Sequence, residues 1–334
     1  MSSPSDSSAP AHPEAAAFLA RGQAIEQKAA APADLVDALR AYDAAITILR
    51  AIPVSPASLR DLAVTLMHRG NALHRAGDAT HFTAALAAHR EATELLNRFP
   101  LSPDASTPPE VAFNHRLNLA GSWLNVATLT LADTTVEHRL THARHAATQA
   151  LTLLSTDNLS HAHAAAAELT LLAHRAHCDI LGQIIPAVAD AELQRDLISE
   201  GSDTVEAGLA LARHCEQNGA RHFRPLAHRL YHFGAQLYRI YQPHFLAEFL
   251  IEHLDPEQSP GAVADDTVLY AIADEAIANT LQSLQSPRFF DATRPQAARQ
   301  LDTSRDLKAV AARLATLRTT HVPQPTISTT TTIT

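Results

Sequence analysis

The chain repeats itself. The segment RGQAI at Arg21–Ile25 returns as RGNAL at Arg69–Leu73, an offset of 48, and ALRAYDAAITILRAIP from Ala38 to Pro53 returns as ALAAHREATELLNRFP from Ala85 to Pro100, an offset of 47. Two neighbouring motifs that recur together define one supersecondary unit stacked on copies of itself, because a single unit has an apolar face and nothing to bury it against. A third, weaker copy follows, with AGSWL at Ala120–Leu124 for the first motif and ARHAATQALTLL at Ala143–Leu154 for the second.

Both motifs place apolar residues at helical spacing. The first helices read Phe18, Arg21, Gly22, Ile25, then Leu66, Arg69, Gly70, Leu73, then Leu117, Ala120, Gly121, Leu124. A small residue stands in the same slot each time, where a neighbouring helix must come close. Leu169, Leu172, Ala173, Ala176 and Leu230, Phe233, Gly234, Leu237 follow the template, and Leu269, Ile272, Ala273, Ala276 follow it more loosely. With 65 Ala, only 10 Gly and 5% aromatics among 334 residues, composition also favours helix over sheet. Pro56, Pro108 and Pro295 stand where a first helical turn tolerates a missing N–H, and Pro53, Pro100 and Pro256 stand just past helix ends. The expected fold is all-α, an α-solenoid of about six antiparallel helical hairpins over residues 14–318. Its last helix, Pro295 to Arg318, presents Leu301, Leu307, Val310, Leu314 and Leu317 on one side as a cap. The Ser/Pro/Ala-rich residues 1–13 and the Thr-rich residues 319–334 lack a helical apolar face and are expected to be a disordered leader and tail.

Charge narrows the partners. Lys and Arg total 26 against 35 Asp and Glu, a net charge of −9, and Lys28 and Lys308 are the only lysines. No basic stripe exists for a phosphate backbone, so no nucleic acid is expected. No apolar run reaches the ~18 residues of a membrane span. Two cysteines, Cys178 and Cys215, are too few for a disulfide framework. No basic segment followed by an apolar one opens the chain, so the expected location is cytoplasmic.

The repeats resemble the tetratricopeptide repeat family. In that family the first helix carries a large apolar residue, Leu, Gly and an aromatic, and the second carries Ala, an aromatic and Ala before a closing Pro. Ala38, Tyr42, Ala45 and Pro53 match the second-helix signature, and Ala85, His89, Ala92 and Pro100 nearly match it. Here 47 to 58 residues separate copies instead of the family's 34, and Arg replaces Leu in two units. The resemblance implies a superhelix whose first helices line a concave surface that binds a peptide or protein. The implied groove residues are Asn71, His74, His115, Asn118, Ser122, Asn125, His174, His177, His228, Tyr231 and Tyr238; Gln23, Glu26, Met67 and Thr170 occupy equivalent positions. His115, Asn118, Ser122 and Asn125 fall at i, i+3, i+7 and i+10. Such uncharged amides and hydroxyls suit hydrogen bonding to an extended backbone. The family's Lys-containing clamp for terminal carboxylates has no counterpart here.

The histidines support an alternative, an all-helical metal-binding protein or enzyme. His138, His142 and His145 fall at i, i+4 and i+7, His228 and His232 at i and i+4, and His174, His177 and Cys178 within one turn. None has the spaced Cys or acidic ligand of a specific zinc motif. No G-x-S-x-G, P-loop, G-x-G-x-x-G or H-E-x-x-H occurs. Asp265-Asp266 reads as a helix N-terminus, where acids complement the dipole. The expected function is therefore a non-catalytic interaction scaffold without cofactor or resident metal, able to self-associate.

Overall fold

The computed structural model describes residues 11–77, 79–98, 108–155, 159–255, 266–284 and 294–321, and every regular element among them is helical. The proposed leader and tail fall almost wholly outside the described residues, as do Asp265 and Pro256. The helix ends follow from local chemistry. Ser55 opens one helix by accepting a 3.0 Å hydrogen bond from Ser58 N, while Ser55 N donates to Ser58 Oγ at 2.8 Å, and Pro56 takes the first helical position. Gly77 closes the same helix with φ of 83°, a left-handed conformation that costs a Cβ-bearing residue energy. Asp190 and Asp266 each cap a later helix by accepting two backbone N–H groups, so Asp266 takes the helix-start role its sequence suggests.

The chain forms two compact units, residues 1–184 and 185–334. Unit 1 contains α1 (Pro13–Lys28), α2 (Leu35–Ala51), α3 (Pro56–Ala76), α4 (Ala79–Arg98), α5 (Pro109–Ala132), α6 (Arg139–Ser155), the short α7 (Leu159–Ala162) and α8 (Ala164–Ile184). Each long helix packs on the next, giving the hairpins α1/α2, α3/α4 and α5/α6, and α8 packs on α6. The first helices also touch in order, α1 with α3, α3 with α5 and α5 with α8. Alanines mark the tight interfaces: Ala38, Ala45, Ala63, Ala72, Ala85, Ala92, Ala143 and Ala147 are fully buried. Larger residues fill between them, Leu49, Leu62, Leu66 and Leu96 in one cluster and Leu73, Leu86, Leu129 and Ile180 in another. Trp123 packs against both of these clusters and a third around Ala150 and Leu154.

The repeated glycines earn their place by close approach. A Cβ on Gly22 would stand 2.4 Å from Tyr42 Cε1, and one on Gly70 would stand 2.6 Å from His89 Nε2. The aromatic of the second helix thus lies across the glycine of the first, in both units where the sequence match is strongest. Tyr42 is fully buried, and its hydroxyl donates to Glu26 Oε2 at 2.6 Å. Burial would raise the Glu26 pKa, but hydrogen bonds from His68 and Tyr42 and the charges of His68 and Arg75 hold it below its usual value.

Unit 2 contains α9 (Ala191–Gln217), α10 (Arg224–Tyr241), α11 (Leu246–Glu252), α12 (Thr267–Leu284) and α13 (Arg294–His321). Its pairing departs from strict alternation: α10 packs on α9, α11 and α12, while α13 packs on both α11 and α12. Gly234 meets Phe249 of α11 and Val205 of α9, at 2.5 and 2.9 Å from an added Cβ. Asp255 and Arg313 form a two-point ion pair at 2.8 and 3.1 Å, with the carboxylate 2% exposed. Leu307, Val310, Leu314 and Leu317 of α13 are buried as the cap reading expects, but Leu301 is 71% exposed and does not join them. Among the described residues no helix is long and apolar enough to cross a membrane.

Candidate binding face

The third unit carries the clearest sequence stripe, and the structure divides it. Along α5 one stripe of exposed or half-buried positions runs through Asn114, Asn118, Gly121, Asn125 and Thr128, spaced by four, three, four and three residues, while Arg116, Leu117 and Trp123 are half-buried outside it. His115 and Ser122 lie one residue further along, about 100° around the helix, and point inward. Ser122 is fully buried, donating to the His89 carbonyl at 2.9 Å and sharing a 2.8 Å hydrogen bond with Thr93 of α4. His115 is 8% exposed, and burial chiefly holds its pKa below the ordinary value. Neither can meet a partner.

Two further expected groove residues are corrected. His177 is buried among α8 core positions, and Tyr231 is wholly buried, donating from its hydroxyl to the Leu250 carbonyl at 3.2 Å. His74 stays half-exposed, like Asn71, with its ring edge-on to Phe82 at 5.0 Å. His174 is half-buried, and burial with the neighbouring His177 takes its pKa down to about 4. In unit 2, His228 Nε2 lies 2.5 Å from Asp266 Oδ2, tying α10 to the start of α12. Tyr238 is half-buried against Phe249 and lines an acidic cleft of its own unit.

The residues that do come together belong to α1, α3 and α5. Asn125 Nδ2 donates to Asn71 Oδ1 at 3.2 Å. Gly121 stands beside the Met67 methyl and Leu169, each 3.8 Å from an added Cβ, an ordinary contact distance, so a methyl there would meet neighbouring first helices without crowding. Gln23 and His68 hydrogen-bond at 2.8 Å from α1 to α3. Nearer the starts of α1, α3 and α5, these helices and the end of α2 line a pocket of about 260 Å³. Ala15, Ala16, Leu19, Leu49 and Val111 supply its apolar lining, and Arg60, Asp61, Thr65 and Asn114 its polar lining. Sequence reasoning missed this pocket and His68. The one available signal was Asn114, which continues the Asn118 and Asn125 spacing backward.

Among the described residues none of the histidine clusters brings three potential ligand atoms together. His138 lies before α6 with φ of 52°, which breaks its helical register with His142 and His145. His142 and His145 instead line a cleft between α4, α5 and α6, where the His145 ring meets Trp123 edge-on at 5.9 Å. Cys178 and Cys215 are free and buried, and burial raises both thiol pKa values, which suppresses thiolate chemistry. Among the described residues one trio of potential ligands converges, Glu206, Glu252 and His253 of unit 2. No protein-family model matches the chain, and no curated protein matches it.

Proposed function

We propose that the hairpins of unit 1 form a repeat array resembling tetratricopeptide repeats, an α-solenoid, and that the face of α1, α3 and α5 receives an extended polypeptide segment without catalysis. One observation carries the reading. Uncharged amides, Asn71, Asn118 and Asn125, run along adjoining first helices that also line a pocket with apolar walls and the polar Arg60, Asp61, Thr65 and Asn114. Each amide offers both a donor and an acceptor, the pair of functions that an extended backbone needs to be satisfied. The pocket falls below the ~300 Å³ typical of small-molecule sites and suits one apolar side chain of such a segment. The abutting Gly–aromatic pairs and the ordered contacts of successive first helices support the repeat reading.

The test uses a random peptide library displayed on phage and selected on the full chain. Enriched peptides should lose affinity at least ~tenfold, about 1.4 kcal/mol, against Asn71→Ala/Asn125→Ala and against Val111→Asp, and retain it against His142→Ala on the other cleft. Failure to enrich any peptide, or equal affinity for all variants, refutes the assignment.

A further inference from the structure

In unit 2, α9 and the end of α11 bring three potential metal ligands together: Glu206, Glu252 and His253, whose ligand atoms all lie within 4.8 Å of one another. His253 is the informative member. Its side chain is 3% exposed, yet its Nε2 has no hydrogen-bond partner and faces Glu206 Oε2 at 3.4 Å. Leaving a buried imidazole nitrogen unsatisfied costs free energy, so an orphan aimed at two carboxylates calls for a group between them. The ring is held in that direction by edge-on packing against Phe249 at 4.9 Å and Tyr231 at 5.9 Å.

The surroundings are acidic. The adjoining cleft, about 360 Å³, is lined by Glu206, Glu248 and Glu252 with Ser199, Ser202 and Tyr238 among its other walls, and none of its lining residues is Arg or Lys. Among the described residues neither Glu206 nor Glu252 pairs with an Arg or Lys. Carboxylates gathered without a counter-charge repel one another, and a divalent cation removes that repulsion while it also satisfies the imidazole.

We propose that Glu206, Glu252 and His253 form a binding site for a divalent transition-metal ion of the zinc class. One imidazole nitrogen and two carboxylate oxygens suit zinc, cobalt or manganese better than magnesium or calcium, which prefer all-oxygen sets. One pair already stands near the bonded spacing: tetrahedral bonds of ~2.0–2.1 Å set neighbouring ligand atoms about 3.3 Å apart, against 3.4 Å between His253 Nε2 and Glu206 Oε2, with the whole set inside 4.8 Å. Three protein ligands leave a fourth position open toward the cleft. This site lies in unit 2 and stands independently of the peptide-binding reading of unit 1.

The full chain, stripped with chelator, should take up one Co²⁺ per molecule with the visible absorption of a four-coordinate centre, and Zn²⁺ should displace it. Glu252→Gln, at an exposed position that leaves folding intact, and Glu206→Gln should each weaken Co²⁺ binding at least ~tenfold, with unchanged helical circular dichroism. His138→Gln/His142→Gln/His145→Gln should leave uptake unchanged. Absence of uptake by the wild-type chain, or uptake that survives both glutamate variants, overturns the site. Binding of a tetra-arginine peptide that depends on Glu206 and Glu252, without Co²⁺ uptake, also overturns it and assigns the cleft to a basic segment.

Discussion

Gly70 and the His89 ring are so close that an added methyl would sit 2.6 Å from Nε2, and both ring nitrogens of His89 are buried without a hydrogen-bond partner. The corresponding pair one repeat earlier is Gly22 and Tyr42, whose hydroxyl is satisfied by Glu26. An offset of 48 carries Glu26 onto His74, so the second hairpin has kept the shape of the contact and lost its acceptor. Gly70→Ala and Gly22→Ala should each destabilise unit 1 by ~1–3 kcal/mol, the usual cost of overpacking a filled core. Gly121→Ala, whose nearest neighbours stand at 3.8 Å, should be neutral or stabilising by up to ~1 kcal/mol through helix propensity. Urea unfolding of the three variants checks the contrast.

Burial lowers the pKa of His89 to about 4, aided by the nearby His74 and His68, and burial with the charge of His177 does the same for His174. Both are then neutral in the folded chain at pH values where the unfolded chain, with an ordinary histidine pKa of ~6.5, already binds protons. Stability is therefore retained above about pH 6.5 and falls as the pH drops toward 4, by up to ~3 kcal/mol for each group. His89→Phe should remove roughly half of that slope. Thermal melts from pH 7 to pH 4 would expose the difference, and parallel curves for variant and parent would contradict it.

Glu26 acts with the same sign in a lower pH range. Its folded pKa lies below the unfolded value, so its contribution is present above about pH 4.5 and is lost as the pH falls through the folded pKa. Tyr42→Phe and Glu26→Gln should each cost ~1–2 kcal/mol at pH 7. The double variant should cost less than their sum, because each single change strands the other partner. A double-mutant cycle by chemical denaturation measures that coupling.

The Asp255–Arg313 pair fixes α13 to the end of α11. Arg313→Met takes the guanidinium from a carboxylate that is 2% exposed, and should cost ~3 kcal/mol, the lower end for a buried pair because the arginine is a third exposed. Asp255→Asn in the same chain should recover part of the loss. If Arg313→Met alone melts at the parent temperature, the pair is not what holds this helix.

The legible part of the fold is the part in which one contact repeats. Tyr42 over Gly22 and His89 over Gly70 recur at almost the same spacing, so two hairpins can be read directly from aligned letters. The third copy misleads by one residue. Aligning Gly121 with Gly70 looks natural, yet Ala120 is the fully buried small residue and Gly121 faces the neighbouring first helices. One position is about 100° of helix, enough to turn His115 and Ser122 from an expected face into the interior. Unit 2 was harder for a different reason: the short α11 inserts Phe249 against Gly234, and its end meets α9 at Glu206. Groups drawn from separate helices leave no spacing in sequence, whereas the His138, His142 and His145 spacing is visible but is broken where His138 leaves the helical register.

Trp123 gives unit 1 an optical label that unit 2 lacks, since it is the only tryptophan in the chain and packs among clusters drawn from α1 to α6 and α8. Its emission follows the loosening of those helices alone, while far-ultraviolet dichroism sums over every helix. The wild-type protein can thus disclose, in one denaturation series and without a probe attached, whether its two halves melt as one cooperative body or in succession.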